Sequence, residues 1–156
     1  MRLTTISLAI ALATLTAACS ATSTTTEVPG PQLNWMPAPA VFPAGAQMAV
    51  LEGNPAGTGE FTVRLKLPDG YRIPPHTHPT DENVTVITGA FKVGMGPTFA
   101  ADSMVTLGVG GFVTAPAGHA HYAAAQGATI VQVHALGPFA LTYVNPSDAP
   151  RAAAPR

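Results

Sequence analysis

IPPHTHPTDENVTVITG, residues 73–89, places two histidines and a glutamate within seven positions of a chain that is sparing with both residue types. Only five histidines occur in 156 residues, and charged residues make up 10% of the chain. In an extended strand, residues two apart point the same way with about 6.6 Å between their Cα atoms, so His76 and His78 can turn two imidazoles to one side. Pro79, Thr80 and Asp81 then read as a turn, after which the β-branched run from Glu82 to Thr88 reads as a second strand lying back beside the first. A carboxylate returned in this way can become a third metal ligand. An isolated His-X-His is read equally well as two surface histidines, and these seventeen residues alone leave both readings open.

The same period of two extends through the rest of the chain. FTVRLKL puts Phe61, Val63, Leu65 and Leu67 on one face and Thr62, Arg64 and Lys66 on the other. NVTVITGAFKVGM and ATIVQVHALGPFALTYV have the same β-branched and aromatic character. No segment carries the spacing of a long helix. With 15 glycines and 16 prolines, the pattern predicts an all-β antiparallel sandwich or barrel made of short strands and many turns. The length allows one compact domain. Seven Lys and Arg against eight Asp and Glu, with no basic cluster, exclude an electrostatic footprint for nucleic acid.

Residues 1–18 have Arg2, an apolar stretch and then small residues, the pattern of an export signal and too short to span a bilayer. Cys19, the single cysteine, follows at once. LTAAC resembles a bacterial lipoprotein cleavage box, although the leucine lies one residue early, at Leu15. The expectation is a periplasmic protein held to the membrane through lipidated Cys19 alone. Residues 19–40, Thr-rich and then Pro-rich, read as a tether reaching roughly 25 Å. Trp35 is the exception, placed to fold back as a first edge strand. Residues 41–146 are the domain, and 147–156 a disordered tail.

The glycines flanking the opening stretch extend its pattern. From Gly70 there are five residues to His76, one to His78, three to Glu82 and six to Gly89; from Gly110 there are five to Pro116, one to Gly118 and two to His121. Together these resemble the two signature motifs of the cupin superfamily, with one departure, Ala125 where an Asn commonly stands. The resemblance implies a single jelly-roll β-barrel holding one divalent transition metal (Fe, Mn, Zn, Ni or Cu) on His76, His78, Glu82 and His121. It also implies pairing into a homodimer. Three nitrogens and one carboxylate leave two of six octahedral places open, an arrangement suited to chemistry, with Glu82 as the catalytic carboxylate.

If Glu82 faces the metal, Val84, Val86 and Thr88 share its face and make an apolar wall. His119, Tyr122, Gln132 and His134 are the polar residues expected about the substrate pocket, His119 at its mouth and His134 more as a satisfied core histidine than a catalytic one. Arg64, Lys66 and Lys92 point outward, which leaves Arg72 as the one cation near the rim. The pocket then suits a small neutral or weakly acidic molecule. Two functions follow as expectations: a metal-dependent enzyme of dioxygenase type, or a non-catalytic module that binds metal and a small ligand at the cell envelope.

Overall fold

The computed structural model describes residues 32–150, and the expectations for residues 1–18 and for Cys19 lie outside that range. Nine strands follow one another: β1 Met36–Pro37, β2 Gln47–Glu52, β3 Glu60–Leu67, β4 Arg72–Thr77, β5 Glu82–Met95, β6 Val105–Leu107, β7 Phe112–Ala115, β8 His121–Leu136 and β9 Thr142–Tyr143. Two 3-10 turns, Ala101–Ser103 and Pro146–Asp148, are the only helical segments among the described residues. All pairings are antiparallel.

Two strands are long because they serve both walls of the molecule. β5 and β8 pair from Glu82↔Ala135 to Met95↔His121, with register shifts between Val86 and Ala90. On one side of that break lies the wall β1-β2-β3-β8-β5-β7; on the other lies β9-β4-β8-β5-β6. The break bends the sheet on itself, as bulges do in closed β-structures. Gly89 sits in the bend at φ +76°, and a Cβ there would lie 2.5 Å from the Ala128 carbonyl and 2.6 Å from Thr129 Oγ1. Only glycine fits that approach. Fully buried Thr129 ties the bend together, accepting from the Ala90 amide and lying 3.0 Å from the carbonyls of Ala90 and Gly127. Asp69 Oδ1 accepts from the Gly127 amide at 2.6 Å and pins the β3–β4 junction to the same corner.

Between the walls lies the core. Phe61, Val63, Leu65 and Leu67 are buried on the inner face of β3, as their alternation requires, and Thr62, Arg64 and Lys66 face outward. Burying each such apolar side chain contributes about 1.5–3 kcal/mol. In β5 the alternation holds for Glu82, Val84 and Val86 and then fails: Thr88, expected inside, is exposed, because the bulges at Val86–Ala90 change the parity so that Phe91 and Val93 become the buried pair.

The ends of the domain differ from the expected boundaries. Met36 and Pro37 pair with Met48 and Gln47, so the sheet reaches into residues read as tether; the edge strand begins just after Trp35, whose ring lies 5.8 Å from Lys66 Nζ. Residues 147 and 148, read as the start of a disordered tail, belong to the 3-10 turn Pro146–Asp148, capped by Asn145, whose side chain accepts from the Ser147 amide.

Candidate metal centre

β4 runs antiparallel to the start of β8, and the pairing His76↔His121 sets those two residues side by side on one wall. His78 follows two residues after His76 on the same face. Glu82 opens β5 and is carried by the opposite wall, where it pairs with Ala115 and Ala135. All four side chains are buried. One ring nitrogen from each of His76, His78 and His121 lies within 4.8 Å of the others. Glu82 Oε2 is 3.6 Å from Nε2 of His78 and 3.4 Å from Nε2 of His121.

Backbone carbonyls fix how these rings present themselves. His76 Nδ1 lies 2.7 Å from the Pro74 carbonyl, His78 Nδ1 2.7 Å from that of Ala140, and His121 Nδ1 3.1 Å from that of His119. A carbonyl only accepts, so each Nδ1 carries the proton and donates it, and in the neutral ring the lone pair then resides on Nε2. Nε2 of His78 and of His121 are buried and without any hydrogen-bond partner. An orphaned buried polar atom is costly unless something outside the chain occupies it. A divalent cation answers that need, and the donor set fits one: two orphaned lone pairs, a third imidazole and a carboxylate converge on one point.

Electrostatics favour the same occupant. Burial, reinforced by the neighbouring His121, lowers the His76 pKa to about 3, so the ring is neutral at physiological pH. Burial alone would raise the Glu82 carboxyl, but the imidazoles around it outweigh that effect and hold it below the ordinary carboxylate value. A neutral imidazole at His76 beside an ionised Glu82 carboxylate suits the binding of a divalent cation.

The centre occupies one end of a cavity between the two walls. The cavity is narrow between its walls, and its volume is about 470 Å³ with the open mouth included. Apart from His76, His78, Glu82 and His121, every residue lining it is apolar. Phe139 stacks on His78 at 5.2 Å between ring centroids and 12° between planes.

Of the residues expected to line the pocket, Val84 does, while Val86 is buried in the core beyond the cavity lining. The four polar candidates are elsewhere. Gln132 and His134 lie on the outer face of β8, where Gln132 Oε1 accepts from Arg64 Nε at 3.1 Å and His134 Nδ1 meets Thr62 Oγ1 at 3.0 Å. Tyr122 is buried on the side of β8 away from His121; its ring lies 5.0 Å from Phe99 and its hydroxyl donates to the Ala100 carbonyl. The His119 ring is exposed, and only its carbonyl serves the centre. Strand parity explains these corrections: the odd positions of β8 from His121 to Ala135, except Gly127 at the bend, face the interior, so even positions 132 and 134 lie on the outer face and Tyr122 is buried under the overlying loop instead. Arg72 is exposed, its guanidinium 5.4 Å from the Phe99 ring, and does not line the cavity. Phe42 and Leu141 do line it, and no period in their Pro-, Ala- and Gly-rich surroundings announces them.

Comparison with solved structures places this architecture. The chain is 24% identical, with a TM-score of 0.64 over 85% of its length and 89% of the other's, to a proposed acetylacetone dioxygenase from Methylibium petroleiphilum PM1. An RmlC-like cupin from Shewanella frigidimarina NCIMB 400 is 16% identical at a TM-score of 0.56, over 72% of this chain and 91% of that one. An oxalate oxidase is 21% identical at a TM-score of 0.52, over 70% of this chain and 60% of that one. The fold is therefore that of the cupin β-barrels. No functionally curated protein matches the sequence. Residues 24–154 match the family described as a domain of unknown function (DUF4437), and the chain belongs to that family.

Proposed function

We propose that this protein is an exported, metal-dependent enzyme of oxygenase type acting on a small neutral or weakly acidic molecule that offers oxygen donors. The observation that carries the reading is the convergence of histidines whose Nδ1 atoms are all committed to carbonyls, two of them with orphaned Nε2 atoms, at the end of an otherwise apolar cavity. A divalent transition metal held by His76, His78, His121 and Glu82 would supply Lewis acidity and, if redox-active, a route for electrons to dioxygen. The chain does the rest. Its carbonyls lock the ring orientations, its apolar walls exclude water, and the Glu82 carboxylate is the one lining group besides the histidines able to take a proton from an acidic C–H or O–H group. Acetylacetone and oxalate, named for two of the similar structures, share the ability to hold one cation through two oxygens. Four protein ligands would leave two of six positions for such a pair.

A second reading, a binding or sensing module without turnover, draws on the absence of any further acid–base group in the cavity lining. Oxygen uptake by metal-loaded protein over a panel of enolisable diketones and phenols separates the two. Uptake that vanishes in His76→Ala supports the enzyme; saturable micromolar binding without uptake supports the module. Export by residues 1–18 and lipid attachment at Cys19 belong to the same proposal and rest on the sequence. The mass of the mature N-terminus tests them, expected to begin at Cys19 with acyl chains attached and contradicted by an unmodified start.

A further inference from the structure

Phe42 is the one aromatic residue in PAPAVFPAGA, residues 37–46, a stretch otherwise built of turn formers. Its segment crosses beside the cavity as a strap rather than as a strand. Ala38 donates its amide to the Ala46 carbonyl and Phe42 its amide to the Pro39 carbonyl, closing a loop and a tight turn that point the phenyl ring inward. The ring is buried and forms part of the cavity lining. Its centroid lies 6.0 Å from that of Phe139, which in turn stacks on His78. A single intervening ring therefore separates Phe42 from a residue of the metal centre.

Two tyrosines hold the strap from the barrel side. The Tyr143 hydroxyl donates to the Val41 carbonyl at 2.8 Å and the Tyr71 hydroxyl to the Pro43 carbonyl at 2.6 Å. These carbonyls flank Phe42 on either side, so the ring is set by a clamp at both neighbours. Tyr143 and Tyr71 come from β9 and from the turn before β4, the latter the strand that carries His76. Apart from His78 and Leu141, the other lining side chains belong to paired strands whose side-chain positions the sheet dictates. Phe42 instead enters from an irregular segment, and its size can change without disturbing a ladder.

We propose that Phe42 is the residue that sets how large a ligand the cavity admits, closing it to all but small apolar molecules carrying oxygen donors. This deepens the reading of the cavity as a ligand site and rests on it. With Phe42 in place the enclosed part of the cavity is narrow; removing the phenyl ring is expected to widen it on the side of the strap. The ligand class that follows is a short-chain enolisable diketone or keto acid, with branched or aryl-substituted homologues refused by the ring.

The test compares wild-type protein with Phe42→Ala and Phe42→Leu, each loaded with cobalt(II), by visible-absorption titration with acetylacetone and with its bulkier homologue benzoylacetone. Wild type is expected to prefer acetylacetone. Phe42→Ala should shift the affinity ratio toward benzoylacetone by about tenfold or more, the scale on which a hydrophobic pocket reads added bulk, with Phe42→Leu between. Metal content should remain that of wild type in both variants. A parallel measurement on metal-free protein uses the neutral apolar dye N-phenyl-1-naphthylamine, expected to bind saturably to Phe42→Ala and not to wild type. An unchanged ratio together with no dye uptake in folded variants overturns the proposal. Dye uptake without diketone binding to any form upholds Phe42 as the wall and overturns the oxygen-donor reading. The double variant Tyr71→Phe, Tyr143→Phe keeps the ring but frees the strap; dye uptake by it supports the clamp even if Phe42→Ala does not fold, and exclusion of the dye by it counts against the clamp.

Discussion

Histidines 76, 78 and 121 could each serve as a metal ligand, because the second nitrogen of every ring is already committed. The carbonyls of Pro74, Ala140 and His119 each take one Nδ1 proton, and the remaining lone pairs face inward. Glu82→Gln keeps the shape and removes the charge, so we expect metal affinity to fall by at least about tenfold with the fold intact, measured by competition with a chromogenic chelator. His134→Ala should leave metal content unchanged, because that ring sits outside on Thr62. The metal-free protein should be acid-sensitive. His76 has a folded-state pKa of about 3 against an ordinary value of 6.5, so between those values the unfolded chain binds the proton and the folded one does not. Its contribution is full above pH 6.5 and is lost as pH falls toward 3; Glu82, held low in the folded state, acts in the same direction. Thermal melting of metal-free protein is therefore expected at progressively lower temperature from pH 7 to pH 4, whereas a flat profile would show that the His76 ring is not buried neutral.

At the scale of the strand, parity and its interruption decide what reaches the centre. The alternation in β3 was legible from Phe61 to Leu67, and so was the strand–turn–strand reading of residues 73–89. The inward set of β5 was legible only as far as Val86, because nothing in the side-chain pattern announces the bulges that expose Thr88. In β8 the necessary signal was present: once His121 faces inward, Gln132 and His134 must face out. Phe42 was illegible for a different reason, since an irregular strap has no period to read and its burial depends on two tyrosine hydroxyls distant in sequence. The bend itself gives a sharp prediction. Gly89→Ala adds a Cβ against the Ala128 carbonyl at a positive φ, so unfolding free energy in urea should fall by about 1–3 kcal/mol or more. Thr129→Val removes the hydroxyl shared by Ala90 and Gly127 and should cost about 1–3 kcal/mol in the same assay.

For the whole molecule, the candidate metal centre joins the two walls of the barrel, with His76 and His121 on one and Glu82 on the other. Occupancy therefore stabilises the closed barrel as well as the site. A cation bound only by the folded state raises stability by about 2.7 kcal/mol at a hundredfold excess over its dissociation constant. The melting temperature should accordingly rise on metal addition and fall again with a chelator, and should respond to neither in His76→Ala. Strand period made the fold class legible and local spacing brought His76, His78 and Glu82 together, whereas His121 entered through the resemblance to the two cupin motifs; the cavity's outer wall was not legible, because the strap and the segment around Leu141 meet only in three dimensions. The most direct measurement is elemental analysis of protein purified without chelator or added metal, beside the double variant His76→Ala, His121→Ala. The account predicts one divalent transition-metal ion per chain in the wild type and none in the variant. Metal-free wild-type protein that also takes up no metal on titration, or equal metal in both proteins, would contradict it.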